Sequence, residues 1–583
     1  MGRGGFLVWL AALCASLSAC AEAEPELTPL EAVELKLDQG DGLGAEKRLQ
    51  TMLEEGASLP ELAGYLGEAA MVQGDLAKAR RYLGAAEFSQ DTSAYGFKQL
   101  GRLELRAGNL PAAGAAFDRA LQFAAQDPEL WVDIGRLRYR GGEHLQALAA
   151  AERALQYGPR NAEALLFRGQ LARDAQGAGT ALALFAQALE DHPEHLELLT
   201  ALAATLGEVG RAHEALDTIR RIDAISPGAP RLVYLQAVIA ARAGDTGLAR
   251  TLLLRASVEE QAQPAAQLLS GVLDMEAGNY ASAAQTLLRL SDRQPDNLPV
   301  RRLLARALSQ SGAERELIAR LGAEADQPWA SPYLKTVVAR AYEVLDQREK
   351  AAVLLDAAAR PTGLRLAPLP SSLPRAILET IDENGALVTR DRVRDALRPG
   401  MTEQALASAA DYSARFPGSG DALSLLGDAQ LVEGDPAAAL ATYRQVARIR
   451  QSWPLTKRLM AAQIAAGQRE SANALLHNYL LAGARNPEAS QLYARVLGEA
   501  GEWRLASGLL KSALDHGGRR DPGTLALLSE AERRLGEPDA ALEHAWAAYR
   551  LQPMNPVVVA ALMRATDDPE LRARMRRKLN ALT

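Results

Sequence analysis

Residues Pro128–Asn161 read PELWVDIGRLRYRGGEHLQALAAAERALQYGPRN and hold the pattern that decides the fold. Within these 34 residues, glycine stands at positions 8 and 15, alanine at positions 20 and 27, and proline at position 32. The glycine at position 8, Gly135, is matched by Gly67, Gly101 and Gly169 at steps of 34 residues. A period of this length predicts a repeat protein, in which each unit stacks on its neighbours.

The same register runs through most of the chain. Position 15 is glycine in thirteen units, from Gly40 to Gly536, and position 32 is proline in six units, from Pro159 to Pro553. Position 20 is alanine in fourteen of fifteen units, and the ninth unit carries Leu317 instead. The alanines are Ala45, Ala79, Ala113, Ala147, Ala181, Ala215, Ala249, Ala283, Ala351, Ala405, Ala439, Ala472, Ala506 and Ala541.

Each unit is predicted to be a hairpin of two antiparallel helices. Apolar residues recur at helical spacing in positions 1–14, which predicts the first helix. Glycine at position 15 permits the positive φ that ends this helix, and proline at position 32 ends the second. Small residues at positions 8 and 20 allow the two helices to approach closely. Such a hairpin cannot bury its apolar face alone, so it must stack on the next one.

This pattern resembles the tetratricopeptide repeat family, whose 34-residue unit has small residues at positions 8, 20 and 27, a bulky residue at position 24, here for example Phe117 and Phe185, and proline at position 32. The resemblance covers residues 26 to 553 and implies an all-α fold, an α-solenoid of about 15 helix hairpins wound as a right-handed superhelix. It implies a concave groove lined by the first helices, and it leaves the function open.

Breaks in the register predict the domain organisation. We expect an N-terminal array of about ten repeats at 31–365, an insertion or linker at 366–385, a C-terminal array of about five repeats at 386–556, and capping helices at 557–583. The insertion contains Pro368, Pro370, Pro374 and a serine pair, which is loop composition. It is interpreted either as a long loop between repeats or as a hinge between the arrays.

The first nineteen residues have the layout of a secretory signal. One basic residue, Arg3, precedes an apolar run that is too short to span a membrane as a permanent helix. The segment ends Leu17-Ser18-Ala19-Cys20, which resembles a bacterial lipobox and implies cleavage at 1–19 and lipidation of Cys20, with 20–30 as a tether. The alternative is an ordinary cleaved signal with a chance cysteine. Since Ala21 is not aspartate, the resemblance favours the outer membrane, with the protein facing the periplasm.

The composition and motifs do not indicate catalysis or the binding of a cofactor or metal. A net charge of −7 argues against a nucleic-acid partner, and we find no phosphate-binding loop or catalytic motif. We therefore predict no enzyme, no cofactor and no metal. His192 and His195 lie across an inter-repeat turn, and Asp38 and Asp41 lack the other ligands of a calcium loop, so both pairs are interpreted as turns.

The resemblance places positions 2, 5, 9, 12 and 13 of each unit on the concave groove. In this sequence they form a basic stripe and a second basic group that together are the candidate groove residues. These are Lys98, Arg102, Arg106, Arg136, Tyr139, Arg140, Arg173, Arg302, Arg306 and Arg340. Arginines can bind carboxylates or phosphates. The alternative is that they are solvated or pair with nearby glutamates such as Glu104 and Glu129.

The sequence thus favours a non-enzymatic scaffold, attached to the membrane by its lipid, that assembles other envelope proteins. Its layout resembles that of the repeat lipoproteins associated with exopolysaccharide export and PEP-CTERM protein sorting, which implies secretion or export components as partners. The alternative hypothesis is direct binding of an anionic polysaccharide or an acidic peptide in the basic groove.

Overall fold

The computed structural model describes residues 28–583 apart from 85–86, 229–231, 296, 328–329, 360–377, 379, 381–385, 398–400 and 484–485. The predicted signal at 1–19, Cys20, the tether up to residue 27, and the linker 366–385 except Leu378 and Thr380 lie outside the described residues. The described residues form α-helices joined by short turns and contain no β-strand. The prediction of an all-α solenoid is confirmed.

The helices, in chain order, are α1 (Pro29–Asp38), α2 (Gly42–Glu54), α3 (Leu59–Val72), α4 (Leu76–Gly84), α5 (Ser93–Ala107), α6 (Leu110–Leu121), α7 (Pro128–Arg140), α8 (His144–Tyr157), α9 (Ala162–Gln176), α10 (Ala178–Asp191), α11 (Leu196–Val209), α12 (Ala212–Ile225), α13 (Leu232–Arg242), α14 (Thr246–Arg255), α15 (Val258–Gln261), α16 (Pro264–Glu276), α17 (Tyr280–Arg293), α18 (Leu298–Gln310), α19 (Glu314–Ala325), α20 (Pro332–Val344), α21 (Arg348–Ala359), α22 (Ala386–Ala396), α23 (Thr402–Arg415), α24 (Gly420–Glu433), α25 (Pro436–Ile449), α26 (Trp453–Ala465), α27 (Arg469–Leu481), α28 (Pro487–Glu499), α29 (Trp503–Asp515), α30 (Pro522–Leu535), α31 (Pro538–Leu551), α32 (Pro556–Ala565) and α33 (Pro569–Leu582). None of them is long and apolar enough to cross a bilayer.

The turn within each hairpin has the predicted backbone. The glycines at position 15 that the structure describes all have positive φ, for example +80° at Gly74 and +84° at Gly210. The tenth unit has no glycine there, and Asp346 adopts the left-handed conformation instead, with φ of +58°. The prolines at position 32 also act as predicted, because α8 ends two residues before Pro159 and α31 ends two residues before Pro553.

The core lies between the two helices of each hairpin and between successive hairpins. Every residue at position 20, including Leu317, is at most 1% exposed. The residue at position 8 faces the bulky residue at position 24 of the same unit. A Cβ added to Gly101 would lie 2.3 Å from Cε1 of Phe117, and one added to Gly169 would lie 2.2 Å from Cε1 of Phe185. Glycine at position 8 therefore makes room for an aromatic ring.

The chain divides into two compact units, Met1–Leu137 and Arg138–Thr583. This boundary differs from the predicted array boundary at 366–385, which falls mostly outside the described residues. The predicted arrays therefore stay a prediction.

The second unit contains a contact between segments that are far apart in sequence. The start of α8 binds the turn at 417–420 through three hydrogen bonds, and this set is hereafter the return contact. The bonds run from Leu145 N to Gly418 O (3.3 Å), from Gln146 Nε2 to Pro417 O (2.8 Å) and from Gly420 N to His144 Nδ1 (3.1 Å). Nearby, the amide of Gln451 donates to the carbonyl of Asp174 at 2.9 Å. Counted in 34-residue units, the joined segments lie about eight repeats apart.

Candidate interaction surface

Two predicted groove residues of the third repeat, Lys98 and Arg102, bind carboxylates of the next repeat. Lys98 Nζ lies 3.0 Å from Asp127 Oδ2 and 3.3 Å from Glu129 Oε2. Arg102 Nε donates to Asp133 Oδ2 at 2.6 Å, and its Nη2 lies 3.4 Å from Glu129 Oε2. Asp133 is buried, and burial raises the pKa of its carboxyl group against the opposing effect of Arg102. Both cations therefore pair with Glu129, which is the alternative to ligand binding that the sequence left open.

Arg106 and Arg136, the other predicted groove residues within Met1–Leu137, also contact polar groups of the protein. Arg136 Nη1 lies 3.9 Å from Asp133 Oδ1, so three cations stand against three carboxylates at this patch. Arg106 Nη1 donates to the carbonyl of Met71, near the end of α3, at 3.2 Å. A guanidinium there satisfies a carbonyl of the helix terminus and complements its negative dipole end. Glu104, the other glutamate considered from the sequence, pairs instead with Arg80 at 2.8 Å.

The inter-repeat pairs share a fixed spacing. Lys98 and Glu129 are 31 residues apart, as are Arg102 and Asp133. The hydroxyl of Tyr65 donates to Glu34 Oε1 at 3.0 Å with the same spacing. In the 34-residue register, a side chain of one first helix thus meets a side chain three positions earlier in the next first helix.

Within the compact unit Arg138–Thr583, the hydroxyl of Tyr139 donates a hydrogen bond to Asp174 Oδ2 at 2.5 Å. Burial, with this hydrogen bond, raises the pKa of Tyr139 to about 12. Arg140 is exposed at the end of α7, and Arg173 is half-buried in the last turn of α9.

The second basic group lies on α18 and α20. Arg302 is exposed, and Arg306 is half-buried with an Nε that has no hydrogen-bond partner among the described residues. Arg340 Nη1 pairs with Glu343 Oε2 of its own helix at 2.5 Å. Thr336, also on α20, accepts a hydrogen bond from Gln552 Nε2 at 2.8 Å. The chain's own last repeats therefore contact this part of the predicted groove face.

Sequence reasoning missed a cluster of three arginines near the C-terminus. Arg533 Nη2 lies 2.7 Å and Arg534 Nε 2.9 Å from Glu530 Oε1, and all three residues lie on α30. Arg564 Nε, from α32, lies 3.3 Å from Glu530 Oε2. Glu530, Arg533 and Arg534 occupy positions 9, 12 and 13 of the fifteenth repeat. These are predicted groove positions, so the repeat register could have identified the two arginines as candidates.

The histidine pair proposed as a turn has a helix-capping geometry. His195 Nδ1 accepts a hydrogen bond from the Leu198 amide at 3.3 Å, at the start of α11. In the neutral ring this leaves the proton on Nε2, which lies 3.6 Å from Glu163 Oε1, while Glu197 Oε2 lies 3.8 Å from Nδ1. The three groups are close enough to surround an ion. The capping bond, however, uses one ring nitrogen and directs the proton of the other toward Glu163.

Asp41, considered as part of a calcium loop, also caps a helix. Its Oδ1 accepts from the Gly44 amide at 2.8 Å at the start of α2. Its Oδ2 lies 3.2 Å from Lys36 Nζ.

Comparison with known proteins recognises the repeats. The family model described as tetratricopeptide repeat matches residues 66–128, 132–195, 200–266 and 390–454. No curated protein matches the chain. The chain thus contains tetratricopeptide repeats, and such repeats imply a scaffold for protein–protein interactions.

Solved structures similar to this chain include other helical repeat proteins. A chain of the APC/C hetero-tetramer Cut9–Hcn1 is 15% identical, with a TM-score of 0.37 and coverage of 96% of this chain and 94% of that one. A tetratricopeptide repeat protein from Parabacteroides merdae is 19% identical, with a TM-score of 0.33 and coverage of 43% and 100%. Pseudomonas aeruginosa pilF is 18% identical, with a TM-score of 0.30 and coverage of 37% and 99%.

Proposed function

We propose that this chain is a periplasmic scaffold, anchored by a lipid on Cys20 to the outer membrane, that assembles other envelope proteins, such as components of exopolysaccharide export or protein sorting. The observation that carries the proposal is the joint presence of a lipobox-like Leu17–Cys20 segment and a long array of interaction repeats. The repeats supply an extended surface for proteins. Several acyl chains on one cysteine supply a stable anchor.

The charge balance of the patch around Lys98, Arg102 and Arg136 supports a protein partner over an anionic polymer. Lys98, Arg102 and Arg136 are matched one for one by Asp127, Glu129 and Asp133. A polyanion would have to displace these carboxylates, one of which, Asp133, is buried. This patch therefore has little surplus positive charge to offer a polysaccharide.

The anchor is tested by membrane fractionation of cells that produce Cys20→Ser, with Cys14→Ser as the matched control. We expect the wild type and Cys14→Ser to remain with the outer membrane and to incorporate labelled palmitate. We expect Cys20→Ser to incorporate none and to leave the outer-membrane fraction. Palmitate incorporation or unchanged fractionation of Cys20→Ser would contradict the proposal.

The scaffold role is tested by cross-linking in intact cells and affinity recovery of the full lipidated protein. We expect envelope proteins to be recovered with the wild type and to be reduced with Cys20→Ser, because the anchor places the repeats beside its partners. Recovery of no protein would contradict the scaffold role even if the anchor is confirmed.

A further inference from the structure

The three arginines of the C-terminal cluster share a single carboxylate. Arg533 uses Nε and Nη2, whereas Arg534 and Arg564 each use Nε, and all four nitrogens lie 2.7–3.3 Å from Glu530. Within the described part of the chain, Glu530 is the one carboxylate that these guanidiniums contact. Three positive charges and one negative charge leave a surplus of two positive charges at one point of a chain whose net charge is −7.

Most hydrogen-bond donors of the cluster remain available. An arginine carries five N–H donors in a planar fork. The Nη groups of Arg534 and Arg564 have no hydrogen-bond partner among the described residues, and both side chains are about half exposed. Carboxylates match this fork bidentately, so the free Nη groups suit the side chains of aspartate and glutamate.

The cluster is held in place by the fold rather than by one flexible helix. Arg533 and Arg534 lie in the last turn of α30, where the helix dipole favours cations. Arg564 comes from α32, whose apolar residues Val559 and Leu562 are fully buried. Two separately packed helices therefore bring like charges together, and an anion from outside would relieve their repulsion.

An aromatic ring lies beside the cluster. The guanidinium carbon of Arg534 lies 5.6 Å from the ring centroid of Trp503, which is only partly buried. Tryptophan and arginine are among the residue types enriched at the positions that dominate protein–protein binding energy. The surplus charge is also local, which fits a short acidic segment better than a long polyanion.

We propose that Arg533, Arg534 and Arg564, with Trp503 beside them, form a binding site for an acidic segment of a partner protein. The proposal rests on the proposed scaffold function only in taking the partner to be a protein. Two carboxylates of the partner would balance the charge that Glu530 leaves unmatched. Glu530 holds the guanidiniums together and competes with the partner for them.

The test is a fluorescence-anisotropy titration of a labelled hexa-aspartate peptide with the full-length protein in detergent. The matched pair of triple variants is Arg533→Gln/Arg534→Gln/Arg564→Gln and Arg138→Gln/Arg211→Gln/Arg220→Gln. Each arginine of the control pairs with its own carboxylate, in Glu143, Glu214 and Asp217 respectively. We expect the cluster variant to raise Kd about tenfold or more and the control to change it less than about twofold.

A fourth variant, Glu530→Gln, separates binding from structure. If the cluster binds anions, removing the competing carboxylate lowers Kd for the peptide, whereas a purely structural role predicts no tightening. Unchanged Kd in the cluster variant, or no binding by the wild type, overturns the proposal. Tighter, cluster-dependent binding of a polyuronate oligomer of equal charge overturns the assignment to a protein. The titration needs neither the anchor nor a cellular partner, so its failure is distinguishable from failure of the proposed scaffold function.

Discussion

At the residue scale, one close fit of the fold occurs where a glycine at position 8 meets an aromatic ring at position 24. Gly101 and Phe117 form such a pair, as do Gly427 and Tyr443. The added Cβ would lie far inside van der Waals contact distance of a buried ring, so an alanine at either glycine requires the ring to shift. The pair acts as one packing unit.

We expect Gly101→Ala to lower the free energy of unfolding by about 1–2 kcal/mol. Overpacking costs about 1–3 kcal/mol, and the higher helix propensity of alanine returns at most about 1 kcal/mol. Urea denaturation followed by circular dichroism measures the change. Phe117→Leu added to Gly101→Ala should recover part of the loss, because the smaller side chain restores room.

Gly114→Ala is the control for this substitution. A Cβ at Gly114 would meet Leu137 Cδ2 at 3.7 Å, which is an ordinary contact, so this variant should be neutral or slightly more stable. Equal losses in both glycine variants would show that helix flexibility, rather than the fit against Phe117, explains the effect.

At the element scale, the helices and turns follow from interactions inside one 34-residue unit. Gly74 and Pro159 act within a few residues of their own positions, so the sequence pattern alone predicts where the helices end. The pairing of Lys98 with Glu129 also had a sequence signal, in carboxylates 31 residues later. The partner of each cation can be assigned only when the register between neighbouring repeats is known, which is why the sequence left ligand binding and pairing with glutamates as alternatives.

The turn of the tenth unit gives a test at this scale. Asp346 has a φ of +58°, whereas the equivalent residue in most units is glycine. We expect Asp346→Gly to stabilise the protein by about 0.5–1 kcal/mol, since glycine reaches this conformation without a Cβ penalty. The midpoint of thermal unfolding measures it.

Asp346→Ala controls for the lost carboxylate. Asp346 Oδ1 lies 3.2 Å from Arg348 Nε, but both side chains are highly exposed, and such a pair contributes little. Alanine removes the same ion pair and keeps the Cβ, so it should be no more stable than the wild type. Stabilisation by alanine equal to that by glycine would refute the backbone explanation.

At the scale of the whole molecule, the return contact in the second unit has no local sequence signal. His144 and Gly420 are 276 residues apart, and no pattern within 34 residues reports which distant turns meet. Sequence reasoning could therefore predict the repeats but not which distant turns meet. The same limit explains why the contact between Gln552 and Thr336 was unexpected.

The return contact should weaken in acid. His144 Nδ1 accepts the Gly420 amide, and protonation would remove this acceptor. Burial lowers the pKa of His144; Asp421 and Asp174 oppose this shift and Arg450 adds to it, while the Tyr139 ring packs edge-on at 5.0 Å. Because the pKa in the folded state is lower than in the unfolded state, the stabilisation is complete above about pH 6.5 and is lost as the pH falls below it.

Hydrogen exchange of the segment 417–420 measures this effect. After correction for intrinsic rates, protection should fall about threefold or more between about pH 7.5 and about pH 5.5. His144→Gln offers an amide oxygen that does not titrate, so its protection should be independent of pH. A wild type that shows the same protection at both values would exclude His144 as the sensitive group.

The return contact also has a consequence for the number of repeats between its two segments. Repeat proteins ordinarily gain and lose units freely, because each unit touches only its neighbours. Between His144 and Gly420, deletion or duplication of one unit would bring a different turn opposite α8 and leave the hydrogen bonds of residues 144–146 without partners. Adding or removing one repeat in this stretch should therefore break the contact, whereas a substitution that keeps the length constant leaves residues 144–146 opposite residues 417–420.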